Sequence, residues 1–254
     1  MEKFRFKLFM NTNIEVLTGL HIGGSKENLD IGGLDNPIIK TVDGIPYLPG
    51  SSIKGKLRFL LEKANGIRES KTEGEPCGCG ECDICLLFGP ATSDQKKKNI
   101  TRLCVRDSFL DIENFKEKFP ELYKEKIYTE EKTENIIDRI KGNAQHPRTI
   151  ERVLPGSIFN LEMTINFYEN DNIDNLIKTF IQGLRLLEDE YLGGSGTRGY
   201  GKISFKNLLF SFKSRLDYLT KNQRREIYKS ANLNFFEQEL INNLKNNLKE
   251  VSNN

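Results

Sequence analysis

The chain has 254 residues, with 38 basic and 36 acidic side chains, a formal net charge of +2 and two histidines. That length suits one large domain or two small ones around a substantial apolar core, and the near balance of charge excludes a polyanion binder that relies on a global basic field. No run of about 18 apolar residues occurs, and the opening "MEKFRFKLFM" lacks the segments of a secretory leader, so a cytoplasmic chain that does not enter membranes is expected.

Apolar side chains at Phe4, Phe6, Leu8 and Met10 fall at every second position and predict a half-buried strand. Ile53, Leu57, Leu60, Leu61 and Ala64 follow helical spacing behind Ser51 or Ser52 as N-cap, which leaves Lys54, Lys56, Arg58 and Lys63 largely off the apolar stripe. The stretch 66–152 is charged, long and poorly periodic, and reads as an insertion carrying binding function. In "IFNLEMTINF", Phe159, Leu161, Met163, Ile165 and Phe167 share one face of the clearest strand. Ile173, Leu176, Ile177, Phe180, Ile181, Leu184 and Leu187 predict a strongly amphipathic helix. The segment "KISFKNLLFSF" alternates, then changes phase, so a bulge is expected near Asn207. Phe236, Leu240, Leu244 and Leu248 predict a helix within Leu233 to Val251, in a C-terminal helical extension over 213–254. Strand, helix, insertion, strand, helix, strand is the order of an α+β core of ferredoxin-like or RRM-like type.

Four of five cysteines, Cys77, Cys79, Cys82 and Cys85, fall within nine residues, "CGCGECDIC". Bridges between such near neighbours would close very small loops, so metal binding is the expected role. The spacing from Cys79 resembles an iron–sulfur run, but Gly89 stands where its next cysteine belongs, and structural zinc fits better, with Cys77 or His21 as fourth ligand. Local basic clusters include Lys96 to Lys98 and the set Arg139, Lys141, Arg148 and Arg152; any one such cluster is more often a solvated face than a binding site. The stretch "GGSGTRGYGKI", residues 193–203, offers backbone that can approach a polyanion closely at Gly194 and Gly196, charge at Arg198 and a stacking ring at Tyr200. It lacks the ending of a P-loop. A flexible turn is the competing reading.

Taken in order, "GLHIGG", "GGLDNPIIK", "PYLPGSSIKGKLR", "CGCGECDICLLFG", "IDRIKGNAQHPRTIERVLPGSIF" and "GGSGTRGYGKI" resemble the backbone subunits of type III-A CRISPR effector complexes, in the RAMP superfamily. The resemblance runs over about residues 4–212. It implies a single modified RRM-like domain, with a zinc loop at 77–85 and a thumb at about 128–154, whose copies stack along a CRISPR RNA beside other Csm subunits. It further implies cleavage of the bound target RNA next to each thumb, by an aspartate in a loop that matches "GGLDNP". On that match Asp35 is the catalytic residue. The type III-B backbone subunit would share fold and reaction, and a scaffold with an inert Asp35 is the alternative of a different class.

An aspartate with an ordinary pKa of about 3.9 is a weak base at neutral pH, so magnesium or another divalent cation is expected to assist. His21 could assist catalysis, contact RNA, ligate zinc or simply be a hydrogen-bonded histidine. Asp107 is a second acidic candidate. Lys54 and Arg58, one turn apart behind "PGSS", are expected on guide phosphates, and Arg148 and Arg152 on a displaced nucleotide, with ion pairing to acids such as Glu151 as the competing role for the latter two.

Overall fold

The structure, a computed structural model, describes residues 2–24, 36–67, 74–220 and 223–252. Thirteen residues, Phe4–Val16, form β1, and its even-numbered apolar side chains enter the core from Phe6 to Val16. A two-residue strand, β2 (Tyr47–Leu48), leads into α1 (Gly50–Asn65). Ser51 and Ser52 lie inside its first turn and do not cap it. Pro49 occupies the cap position without a side-chain bond, and the Gly50 N–H is satisfied by Asp107 Oδ1 at 2.7 Å, from 57 residues away. Gly50 is obligatory there: any Cβ would meet the Val105 carbonyl and the Arg106 backbone.

The 66–152 stretch is not one insertion. It begins with the cysteine loop and α2 (Asp83–Phe88), returns to the main sheet through β3 (Leu103–Val105) and β4 (Ser108–Leu110), and continues in the short helices α3 (Ile112–Lys118) and α4 (Pro120–Lys124). A separate two-stranded ribbon then stands off the sheet, β5 (Thr129–Ile137) with β6 (Ala144–Val153). Next come β7 (Ile158–Tyr168), α5 (Ile173–Asp189), β8 (Ile203–Ser214) and α6 (Arg215–Leu219), then β9 (Arg225–Ser230) and α7 (Glu237–Ser252). The C-terminal extension therefore supplies a strand as well as helices.

The main sheet runs β2-β4-β7-β1-β8-β9, with β3 also on β7, and every pairing is antiparallel. Chain segments far apart in sequence therefore lie side by side. The bulge sits where the phase change placed it: Asn207 has φ +53°, and Asn11 pairs with Leu209 while Asn13 pairs with Lys206. One face of the sheet is covered by α1 and α5, whose Leu57, Leu61, Ile177, Phe180 and Leu184 join Phe6, Leu8, Phe159, Phe167, Phe205 and Phe212 in one core. Each such fully buried side chain is worth about 1.5–3 kcal/mol over its exposed state. The helices approach closely at Gly183, where a Cβ would press on Leu61 at 3.0 Å. In α7 the buried stripe is Leu240, Ile241, Leu244 and Leu248, whereas Phe236 lies before the helix and is exposed. Among the described residues no helix is long and apolar enough to cross a membrane.

Candidate functional site

Two places concentrate the chemistry. The first is the cysteine loop. The Sγ atoms of Cys77, Cys79, Cys82 and Cys85 all lie within 4.8 Å of one another, with 3.7 Å between Cys79 and Cys85 and 4.0 Å between Cys77 and Cys82. Four thiolates around one tetrahedral zinc, at Zn–S of about 2.3 Å, would stand about 3.8 Å apart, so the spacing fits such an ion. The amides of Cys82 and Cys85 point at the sulfurs of Cys79 and Cys82, each at 3.4 Å, which would stabilise thiolate charge. Burial pushes the Cys82 and Cys85 thiols up, so protonated sulfur is favoured until a cation compensates. The cluster could hold a metal such as zinc. Among the described residues these four cysteines are the group with that capacity, and His21 is not part of it.

Local bonds fix the loop. Glu62 Oε1 accepts from the Cys77 amide at 2.9 Å, Arg58 donates to the Cys77 carbonyl at 2.8 Å while pairing with Glu62, and Asn99 donates to the Gly80 carbonyl. Gly80, at φ +79°, lies against the Lys97 carbonyl, where a side chain has no room. Arg58 thus departs from the expected phosphate contact, because its side chain is only 16 % exposed and its guanidinium serves the cysteine loop. Lys54 departs too: its ammonium is half-buried and donates to the Leu103 carbonyl at 2.8 Å, and burial lowers its pKa. Lys54 thus serves β3 and Arg58 the cysteine loop, long-range packing that helical spacing alone does not reveal.

The second place is the root of the β5–β6 ribbon, where three segments meet. Val153 and Leu20 exchange backbone bonds, at 2.8 and 3.2 Å. Gly24 donates to the Pro37 carbonyl and Ile39 to the Ile22 carbonyl, so residues 22–24 and 37–39 are drawn together. Asn36 bridges to Ile150, and its carbonyl accepts from the Glu151 amide. Asp35 itself lies outside the described residues. Its covalent neighbour Asn36 is held on β6.

Glu151 is the fastener of this junction. Its carboxylate, 3 % exposed, accepts from the Ile38 amide at 2.9 Å and the Thr129 hydroxyl at 2.8 Å and pairs with Lys40. Burial opposes its charge, but Lys40, the Ile38 amide and Thr129 prevail and hold it below the ordinary glutamate range. His21 Nδ1 donates to the Glu151 carbonyl at 2.7 Å, which makes it a hydrogen-bonded histidine of this junction. Sequence reasoning named Glu151 only as an acid for arginine to meet. Its partner there is Lys40, and Arg152 instead pairs with Glu130 at 2.6 Å.

The glycine-rich loop closes the third side. Gly194 donates to the His21 carbonyl at 2.8 Å, and Gly201 to the Gly19 carbonyl at 3.1 Å. Gly193, at φ +79°, presses on the His21 carbonyl so closely that no Cβ fits, and at Gly196 one would strike the Tyr191 ring. Arg198, half exposed, reaches Glu134 on β5 at 3.2 Å, and Arg148 meets the same carboxylate at 3.0 Å. Tyr200 requires a correction: it is 1 % exposed, with Lys132 and Arg152 over its ring at 4.5 and 4.8 Å, so it offers no free face for a base. Asp107, between β3 and β4, accepts from the Gly50 amide at the start of α1 and so serves that helix, away from this junction.

The ribbon tip exposes three isoleucines among the polar residues Asp138, Arg139, Lys141 and Asn143. Ile136 and Ile137 are more than half exposed and Ile140 is 95 % exposed, which burial in a monomer does not explain.

The RAMP superfamily model matches residues 13–204. The chain belongs to the RAMP superfamily. This RAMP chain is 44 % identical over 239 residues, 92 % of its length, to a Methanocaldococcus jannaschii protein named CRISPR system Cms endoribonuclease Csm3, of which 93 % is covered. A Streptococcus thermophilus protein of the same name is 40 % identical, with 80 % and 88 % covered. Among solved structures, a chain of the Csm3–Csm4 subcomplex in the type III-A CRISPR-Cas interference complex superposes with a TM-score of 0.60 at 32 % identity, covering 98 % of this RAMP chain and 97 % of that one.

Proposed function

We propose that the chain is an RNA-binding backbone subunit of a type III-A CRISPR complex in the cytoplasm, and an endoribonuclease that cuts guide-paired target RNA. The observation that carries this reading is the junction itself: the segment adjoining Asp35, the ribbon root and the glycine-rich loop meet at one place, in a chain whose full-length relatives bear the endoribonuclease name. The fold belongs with it. Setting aside the two-residue β2 and the outer β9, the order β4-β7-β1-β8 supports a ferredoxin-like or RRM-like sheet, on which the cysteine module and the ribbon, as thumb, would be the modifications. Copies of the chain would stack along the guide, together with other Csm subunits. Zinc would hold the cysteine module through four thiolates and take no part in cutting.

The chemistry follows from RNA itself. For scission the 2′-hydroxyl, the phosphorus and the leaving 5′-oxygen must lie nearly in line, which a regular A-form duplex does not allow. A ribbon tipped with Ile136, Ile137 and Ile140 can displace bases from the stack and free one sugar to reach that geometry, so that alignment supplies much of the rate. Asp35 then accepts or orients the 2′-hydroxyl proton. Pro37 keeps Asn36 out of helical conformation next to it. Since a lone aspartate is a weak base at neutral pH, the proposal includes a requirement for magnesium or a similar cation.

The test is the assembled complex with guide and matched target RNA, with and without magnesium. Asp35→Ala is expected to lower the cleavage rate by about 100-fold or more with unchanged assembly and target affinity, as for loss of a proton-transfer group. Cutting at the wild-type rate would remove Asp35 from the mechanism. Failure to assemble would make it structural.

A further inference from the structure

The arginines best placed to meet RNA at the ribbon root are already occupied by acids of their own chain. On β5, Glu130 and Glu134 alternate with Lys132 along one face. Glu130 accepts twice from Arg152, at 2.9 and 2.6 Å, and Glu134 takes both Arg148, directly opposite on β6, and Arg198 from the glycine-rich loop. The burial is uneven. The Glu134 side chain is 12 % exposed, whereas those of Arg148 and Arg198 are 44 % and 50 % exposed, so the guanidinium groups lie outermost and the carboxylate beneath them. Burial works against the Glu134 charge, but Arg148 and Arg198 hold its carboxyl below the ordinary glutamate range.

From this arrangement we infer that Glu134 is an internal stand-in for an RNA phosphate: it holds Arg148 and Arg198 in the free chain and is displaced when the guide supplies its own anions. A carboxylate and a phosphate offer a guanidinium the same pair of acceptor oxygens, so the arginines keep their geometry through the exchange. Glu134 also lowers affinity for any polyanion that brings only one phosphate to the site. Selectivity for a continuous strand over scattered anions is the consequence. The inference rests on the RNA-binding reading and deepens it, naming a residue that tunes affinity and takes no part in cutting.

The experiment uses the full purified chain, a fluorescent 20-nucleotide polyuridine and anisotropy over a potassium chloride series, with wild type, Glu134→Gln, Glu134→Ala and the double variant Arg148→Ala/Arg198→Ala. Both Glu134 variants are expected to bind about three- to tenfold more tightly than wild type at low salt, with a steeper salt dependence, because two arginines are released for phosphate. Agreement between Gln and Ala assigns the effect to charge, and thermal unfolding of each checks the fold. If the Glu134 variants bind equally or more weakly while the double arginine variant loses affinity, the acid merely organises the arginines and the inference is overturned, with RNA binding intact. If wild type fails to bind polyuridine and the double variant changes nothing, the RNA-binding reading falls and the inference with it.

Discussion

The cysteine module and the β5–β6 ribbon both depart from the same sheet, yet they are held by opposite means. In the module, backbone groups of Cys77 and Gly80 are bonded by buried or half-buried partners, and Arg102, itself 1 % exposed, ties the following strand to Asp171 and Glu2. Its amide donates to the Leu86 carbonyl, joining α2 to β3. The ribbon has ladder bonds between its own strands, ion pairs among Glu130, Glu134, Arg148 and Arg152, and exposed isoleucines at its tip. The first arrangement resists exchange of partners. The second invites it, since the Arg148 and Arg198 side chains that meet Glu134 are about half exposed and a phosphate can replace a carboxylate as their partner. On the proposed function, the module would keep the fold rigid while the ribbon exchanges partners with RNA.

Perturbations that separate the two regions should differ in size. The largest effect is expected in the module: Cys85→Ser, or strong chelation, should abolish stoichiometric zinc and lower stability by about 3–5 kcal/mol or more, roughly 10 °C in the unfolding midpoint. Metal analysis paired with calorimetry decides it. A chain that purifies without zinc and melts as the variant does would erase the contrast.

At the junction, Glu151→Ala should cost about 2–4 kcal/mol, because the Ile38 amide and Lys40 lose a buried partner; urea unfolding measures it. The same group sharpens the comparison through pH. Its pKa is depressed on folding, so its contribution is complete above the unfolded value of about 4.3 and is lost as pH falls through the lower folded value. Glu151→Gln should flatten that acid limb. An unchanged limb would place the acid sensitivity elsewhere, for instance at Asp217, whose carboxyl is also depressed, by Ser214 and Arg225 against the opposing effect of burial.

The smallest effect on stability belongs to the tip. Ile140→Ala should leave the urea midpoint within about 0.5 kcal/mol of wild type, as for other exposed sites, while slowing target cleavage in the assembled complex. A large loss of stability would mean that the tip is packed, contrary to its exposure.

How far these regions were legible in the sequence follows from how local their signals are. β7 and α5 bury one clean face each, so spacing alone placed them, and the phase change at Asn207 marked the bulge. Strands β3 and β4 are three residues long and depend on β7 for their conformation, which no local pattern reveals. Periodicity showed the ribbon only as a charged stretch, because most of its side chains outside the buried root at Ile150, Glu151 and Val153 face water, and it was the family resemblance that marked a thumb at about 128–154. The cap of α1 failed for a related reason: Asp107 arrives through tertiary structure, so the nearby serines were a false signal. The four cysteines were readable because ligand spacing is local chemistry. Tyr200, Lys54 and Arg58 were misjudged since residue type signals what a side chain can bind and not which neighbour has already taken it.

The double duty of β6 has a mechanical meaning. It pairs with β5 along its length, and its inner end, from Ile150 to Val153, is bonded as well to Leu20 and Asn36. Ten extended residues span about 30 Å, so a tilt of about 10° at the base sweeps the far end through about 5 Å, and a load applied out there returns multiplied to the short segment next to Asp35. The ribbon is a lever whose fulcrum is the junction.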